Sequence, residues 1–274
     1  MPQTFLDTGV PAAVMTFNVK NGMNVISWAR RRSLLASVIR KERPLLVGTQ
    51  EAYRYQLTYL QDQLPRYAAI GDTRHSLPED EYSAILVDTS RVTVGESGTN
   101  WLSPTPDVRG SKFEGEHFPR IMTWAICDIH EFDRPLMVAN THLTYESAWI
   151  DAQIEVLLAQ IERHAPAGID ILLTGDFNSP THSNAWHTVR AAGFIDAMDF
   201  AERVGPLLTA HDWRGVGNPD SRADTLDDRI DWIMYRPGDG VTLPRDCVLE
   251  TIETRNDRGY PSDHFPVVLR NTTL

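Results

Sequence analysis

The chain has 274 residues, 42% of them hydrophobic and 23% charged, a composition that suits an ordinary globular protein able to bury a large core. Its formal net charge of −11 makes the average surface repel a polyanion, so long-range steering of DNA or RNA is not expected. No apolar run approaches the roughly 20 residues of a membrane-spanning helix, and an integral membrane protein is excluded on that reading. The start, Met-Pro-Gln-Thr-Phe-Leu-Asp, lacks the charged and apolar regions of a secretory signal, which implies a cytoplasmic chain or a processed secreted form. Cys127 and Cys247 each sit in an apolar run and read as buried free thiols.

In chain order, residues 12–19 form the first strand-like run. A helix follows from an N-cap near Ser27, carries Leu34, Leu35, Val38 and Ile39, and stops at Pro44; Arg30, Arg31 and Arg32 read as its solvated face. Residues 45–49 are strand, 53–64 helix, and 82–87, 121–129 and 136–141 strand. Residues 146–164 give the clearest helix, with Ile150, Ile154, Leu157 and Ile161 on one face. Strand 169–174, helix 183–192 and strands 230–235 and 265–269 complete the pattern. No repeat or linker divides residues 1–274, so one α+β or layered α/β domain is expected.

Polar residues gather at the ends of these strands, where a sheet presents them together at its rim. They are Asn18, Glu51, His142, Asp176 with Asn178, Asp231, and the pair Asp263–His264. Asp176 and Asn178 lie two apart, which on extended chain puts both side chains on one side; an Asx-turn would use the same spacing. Glu51 alone could equally be a solvated acid favouring a helix dipole.

Taken in this order, Met-Thr-Phe-Asn-Val, Val-Gly-Thr-Gln-Glu, Ala-Asn-Thr-His-Leu, Gly-Asp-Phe-Asn-Ser, Arg-Ile-Asp-Trp and Ser-Asp-His-Phe-Pro resemble the endonuclease/exonuclease/phosphatase superfamily, from Thr16 to Val267. Residues 101–112, 118–125 and 258–267 look like its bacterial metal-dependent hydrolase subgroup. The resemblance implies a four-layer α/β/β/α sandwich, two mainly antiparallel sheets flanked by helices. It also implies hydrolysis of phosphate esters by in-line attack of water.

By the same resemblance Glu51, Asn18 and Asp263 hold one or two Mg²⁺ or Mn²⁺ ions, hard cations that take oxygen ligands. Asn18 would offer its amide oxygen. Asp176 and Asn178 align the attacking water, His142 and His264 stabilise phosphoryl charge as imidazolium groups, and Asp231 orients His264. Arg120, opening an apolar strand, would hold a phosphate bidentately. His211 is a further substrate-facing candidate; His75, His117, His182 and His187 read as solvated surface. Trp101 and Trp213 read as rim aromatics, Trp124 and Trp232 as core. A small or lipid-derived ester is the expected substrate because the chain is acidic, with a nuclease the alternative and an inactive scaffold the remote one. Nothing calls for an obligate protein partner.

Overall fold

The structure, a computed structural model, describes residues 4–7, 9–75, 79–216 and 229–272. Its elements in chain order are β1 (Ala13–Asn18), α1 (Val25–Glu42), β2 (Leu46–Gln50), α2 (Arg54–Gln63), β3 (Tyr67–Ile70), β4 (Ile85–Asp88), β5 (Val92–Trp101), β6 (Ile121–Ile129) and β7 (Pro135–His142). There follow α3 (Ser147–His164), β8 (Asp170–Asp176), α4 (Asn184–Ala191), β9 (Ile195–Asp196), β10 (Glu202–Val204), β11 (Asp231–Arg236), β12 (Cys247–Thr251) and β13 (Val267–Asn271). The strands make two sheets, ordered β10-β12-β13-β1-β2-β4-β3 and β5-β6-β7-β8-β11-β9. Most pairings are antiparallel; β1 with β2, β10 with β12, and β7 with β8 are parallel.

Alternation along the strands explains the layering, because successive side chains leave opposite faces of a sheet. Val14, Leu46 and Leu172 point into a core between the two sheets. Their neighbours Met15 and Val47 face outward against Trp28, Leu35 and Ile39 of α1 and Leu57 and Leu60 of α2. Leu173 and Met137 face the other way, onto Ile154, Leu157 and Ile161 of α3 and Trp186 of α4. Three cores therefore separate four layers, as the resemblance implied. The sheets approach closely at Gly48, where a Cβ would lie 2.3 Å from Thr174 Oγ1 and 2.4 Å from Asn140 Oδ1.

Helix α1 begins a turn earlier than the Ser27 cap suggests. Asn24 is the N-cap, and its side chain accepts the Ser27 N–H at 3.0 Å. Cys127 and Cys247 are buried and unpaired. No helix among the described residues is long and apolar enough to cross a membrane.

One buried ion pair fastens α4 to the second sheet. Arg229 donates to both oxygens of Asp196 at 2.7 and 2.8 Å, and Asp196 also accepts from Trp186 Nε1 and Met198 N. Burial opposes the Asp196 charge, yet Arg229 outweighs it and holds the carboxyl below its usual range. Arg229→Met strands that carboxylate, and urea unfolding should show a loss of about 3–5 kcal/mol at neutral pH. A depressed folded pKa gives stability that is complete above the unfolded value of 3.8 and lost as pH falls through the folded one. In the variant burial alone raises the Asp196 pKa, so the gap should narrow as pH falls through that raised value and close as it falls through the wild-type one; a constant gap down to strong acid would contradict the assignment.

Candidate active site

Strand register brings the polar residues together. His142 on β7 is paired with Asp176 on β8, and Asp176 with Asp231 on β11, so the three form one row at the rim of the second sheet. In the first sheet Asn18 pairs with Gln50, which leaves Glu51 one residue beyond β2. There a φ of 61° turns the chain, a left-handed conformation that costs a non-glycine residue strain and aims the carboxylate at the cleft. The two rims are joined by Asn18, whose Nδ2 donates to Glu51 Oε1 at 3.0 Å and Asp176 Oδ2 at 2.9 Å. Its amide oxygen accepts the Lys20 N–H at 3.0 Å, so the oxygen expected to face a metal is engaged with backbone. Ser262 Oγ donates to the Asn18 carbonyl at 2.6 Å and pins the Asp263–His264 turn to β1.

Asp176, Asp231 and His264 place possible ligand atoms within 4.8 Å of one another. His264 Nδ1 lies 2.8 Å from Asp231 Oδ2, and its Nε2 lies 3.8 Å from Asp176 Oδ2. Burial works against a charge on His264, but Asp231 and Asp176 outweigh it and raise its pKa to about 10. The imidazolium places a positive charge between the two carboxylates of this cluster. Burial and the Asp231 carboxylate push Asp176 up to about 7. Asn178, with a φ of 47°, donates its backbone N–H to Asp176 Oδ1 at 3.0 Å and its side-chain amide to the Leu143 carbonyl at 2.8 Å. The Asx-turn and the site are one structure.

His142 differs from His264. It lies 3.6 Å from Asp176, but burial and the nearby Arg120 and Arg74 guanidinium groups hold its pKa well below the usual imidazole range. It is a neutral donor, where the sequence reading expected an imidazolium.

Glu51 and Asp263 converge on a cation already present, the Lys20 ammonium, at 3.5 and 3.1 Å. Burial opposes the charge on Glu51, while Lys20 and Asn18 keep it ionised, its pKa lowered. Asn21 Nδ2 bridges Glu51 at 2.9 Å and Glu81 at 3.1 Å. Glu51 and Asp263 are both buried and share the Lys20 ammonium; they are the residues that could hold a hard divalent ion, Glu51 on the cleft lining and Asp263 and Asn18 behind it.

The cleft in front of these groups encloses about 760 Å³, enough for a small phosphoester. Arg120 forms its floor: the residue is 4% exposed, and its Nε and Nη1 are buried without hydrogen-bond partners. Beside it Arg74 is neutralised by Asp80 and Glu81. Phe118 and Tyr145 stand at the mouth, beneath the Arg74 and Arg120 guanidinium groups at 4.8 and 5.9 Å. Asp231 stands behind His264, outside the cleft lining.

Several expectations change. Arg31 is buried, not solvated: its guanidinium caps the carbonyls of Val19, Lys20, Asn21 and Pro261. His211 is not among the residues that line the cleft. It stacks on Phe265 at 4.0 Å and accepts the Gly215 N–H at Nδ1, and burial and His264 depress its pKa to about 4. Trp101 is buried at the end of β5 and donates to the Arg74 carbonyl at 2.6 Å. His75 and His117 line the cleft, and the His117 side chain is also largely exposed, as expected for a surface residue. Lys20, Asn21, Arg74 and Glu81 carried no signal in the sequence, because only tertiary contact brings them to Glu51.

The pattern of the endonuclease/exonuclease/phosphatase family matches residues 15–264. The chain belongs to that family, whose members hydrolyse phosphoesters and generally use divalent metals. A Bacteroides thetaiotaomicron protein of the family superposes with a TM-score of 0.81 over 95% of this chain and 97% of that one, at 22% identity. The mannosyl-6-phosphatase of the same organism gives 0.77 over 94% and 98%, at 23% identity. D. rerio TDP2 complexed with a single-strand DNA product gives 0.69 over 95% and 98%, at 19% identity. An uncharacterized protein of Acanthamoeba polyphaga mimivirus is 27% identical over 183 residues, which span 61% of this chain and 66% of that protein.

Proposed function

We propose that the chain is a divalent-metal-dependent phosphoesterase that hydrolyses a small or lipid-derived ester by in-line attack of water. One observation carries the reading: the Arg120 guanidinium, which has no ion-pair partner among the described residues, lines the same cleft as Asp176 and His264. Such donors suit the non-bridging oxygens of a phosphate.

Asp176 is the base, because His264 is already protonated near neutral pH and has no lone pair to offer. Asn178 fixes the Asp176 carboxylate through its backbone N–H. As the water oxygen bonds to phosphorus, its proton passes to Asp176 and the ester oxygen departs on the opposite side. His264, His142 and Arg120 donate to the phosphoryl oxygens as charge builds on them. A Mg²⁺ or Mn²⁺ held by Glu51 and Asp263 would add Lewis-acid stabilisation of the phosphoryl and leaving oxygens. Asp231 acts through His264, holding its tautomer and charge. Asp231→Asn should therefore lower kcat about a hundredfold with little change in KM; a KM effect alone would point to a purely structural role.

The reading is tested by a panel of a generic diester, a monoester, single- and double-stranded nucleic acid and sphingomyelin, each with Mg²⁺, Mn²⁺ and EDTA. Metal-dependent cleavage of a small or lipid ester, insensitive to salt, is expected. Turnover confined to nucleic acid and falling steeply with salt would replace this reading with the nuclease.

A further inference from the structure

Most of the large apolar side chains that stand in solvent gather at one place. Of the eight among the described residues, Met23, Phe118 and Tyr145 line the catalytic cleft, and Ile26 and Trp213 line a neighbouring hollow. Val25 lies between Met23 and Ile26 in the sequence, and these three are 65–75% exposed. Single exposed apolar residues are ordinary; a collection around the mouth of a catalytic cleft marks a surface that meets something apolar.

The charged side chains that line the hollow beside this rim are arginines. The hollow, about 400 Å³, is bounded by Arg30, Arg31 and Arg258 together with Trp213 and Tyr260; among the described residues no acidic side chain lines it, and Glu253 stands behind Tyr260. Among the described residues neither Arg30 nor Arg258 is engaged in an ion pair. In a chain of net charge −11 this is a local reversal. Aliphatic side chains flanked by aromatic rings and the Arg30 and Arg258 guanidinium groups match the layering of a phospholipid surface, where acyl chains, interface and anionic headgroups follow in that order. A polynucleotide would use the arginines and rings but leave Met23, Val25 and Ile26 without a counterpart.

We propose that the rim formed by Met23, Val25, Ile26 and Trp213, with Arg30 and Arg258, docks the protein on an anionic phospholipid surface with the cleft facing the headgroups. The substrate is then a phosphoester presented by that surface, a refinement that rests on the phosphoesterase reading.

The test is cosedimentation with vesicles of phosphatidylcholine, alone or mixed with phosphatidylserine, in EDTA so that turnover plays no part. Wild type should bind the mixed vesicles. Val25→Ser/Ile26→Ser should weaken binding about tenfold at any salt concentration, the cost of withdrawing two inserted side chains. Arg30→Glu/Arg258→Glu should remove the preference for phosphatidylserine at low salt. Soluble diester turnover by both variants checks that the fold and the cleft are intact.

Absence of vesicle binding by wild type, or binding unchanged in Val25→Ser/Ile26→Ser, overturns the proposal. So does competition by a single-stranded oligonucleotide whose own binding needs the arginines but not Val25 and Ile26. Vesicle binding by a protein that hydrolyses no ester would sink the catalytic reading and leave the docking surface standing. Turnover of soluble esters without vesicle binding would do the reverse.

Discussion

Asp176→Asn is expected to lower phosphoester turnover by about 10³- to 10⁴-fold with KM nearly unchanged, the loss that follows removal of a positioned general base. The carboxylate is 1% exposed and stands beside Asp231 in the register of β8 and β11, with the His264 imidazolium between them. Replacement removes one of two buried like charges, a gain. It also converts one acceptor into a donor facing Asn18 Nδ2 or the Asn178 N–H, a loss of about 1 kcal/mol or more. The opposing terms leave the thermal midpoint in EDTA close to that of wild type. A variant that keeps more than a tenth of wild-type kcat would remove Asp176 from the chemistry, and one that no longer folds cooperatively would make its role structural.

Why Asp176 was visible in the sequence and its surroundings were not is a matter of range. Residues 169–174 form an apolar run, so a polar residue just past its end falls at a sheet rim whatever the topology. The same reasoning located Asn18, Glu51, His142 and Asp231 at strand ends. The partners that set their charge are remote in the chain: Asn18 and Asp176 are 158 residues apart, and Asn21 and Glu81 are 60 apart. His142 shows the consequence. Its protonation state depends on Arg120 and Arg74, which reach it only in the folded sheet.

The fold was legible to the same depth. Central strands such as β1, β2, β7 and β8 are buried on both faces and read as continuous apolar runs. β5 did not, because it is an edge strand whose middle residues are mostly exposed and include two glycines. The short β9 and β10 lie at the other edges, where few side chains need be apolar. Arg31 is hidden from the sequence for a related reason: helical spacing identifies which residues share a face, whereas the carbonyls that solvate its guanidinium come from the loop 19–21 and from Pro261.

Arg120→Met is expected to lower kcat/KM by about 10²- to 10³-fold while making the protein more stable. The guanidinium is buried, and both burial and the adjacent Arg74 disfavour its charge. Its Nε and Nη1 have no acceptor among the described residues. An unsatisfied buried donor costs about 1–3 kcal/mol, so an apolar side chain of similar length recovers part of that stability. Function requires the unfavourable arrangement. A guanidinium without a carboxylate partner among the described residues keeps its charge for an oxyanion, and it loses little to reorganisation when charge develops on phosphorus. The two halves are measured separately, by urea unfolding in EDTA and by metal-dependent turnover. A third reading joins them: inorganic phosphate should raise the thermal midpoint of wild type and leave that of Arg120→Met unmoved. Equal stabilisation of both proteins would show that the phosphate seat lies elsewhere. A less stable variant with normal turnover would show that Arg120 serves the fold.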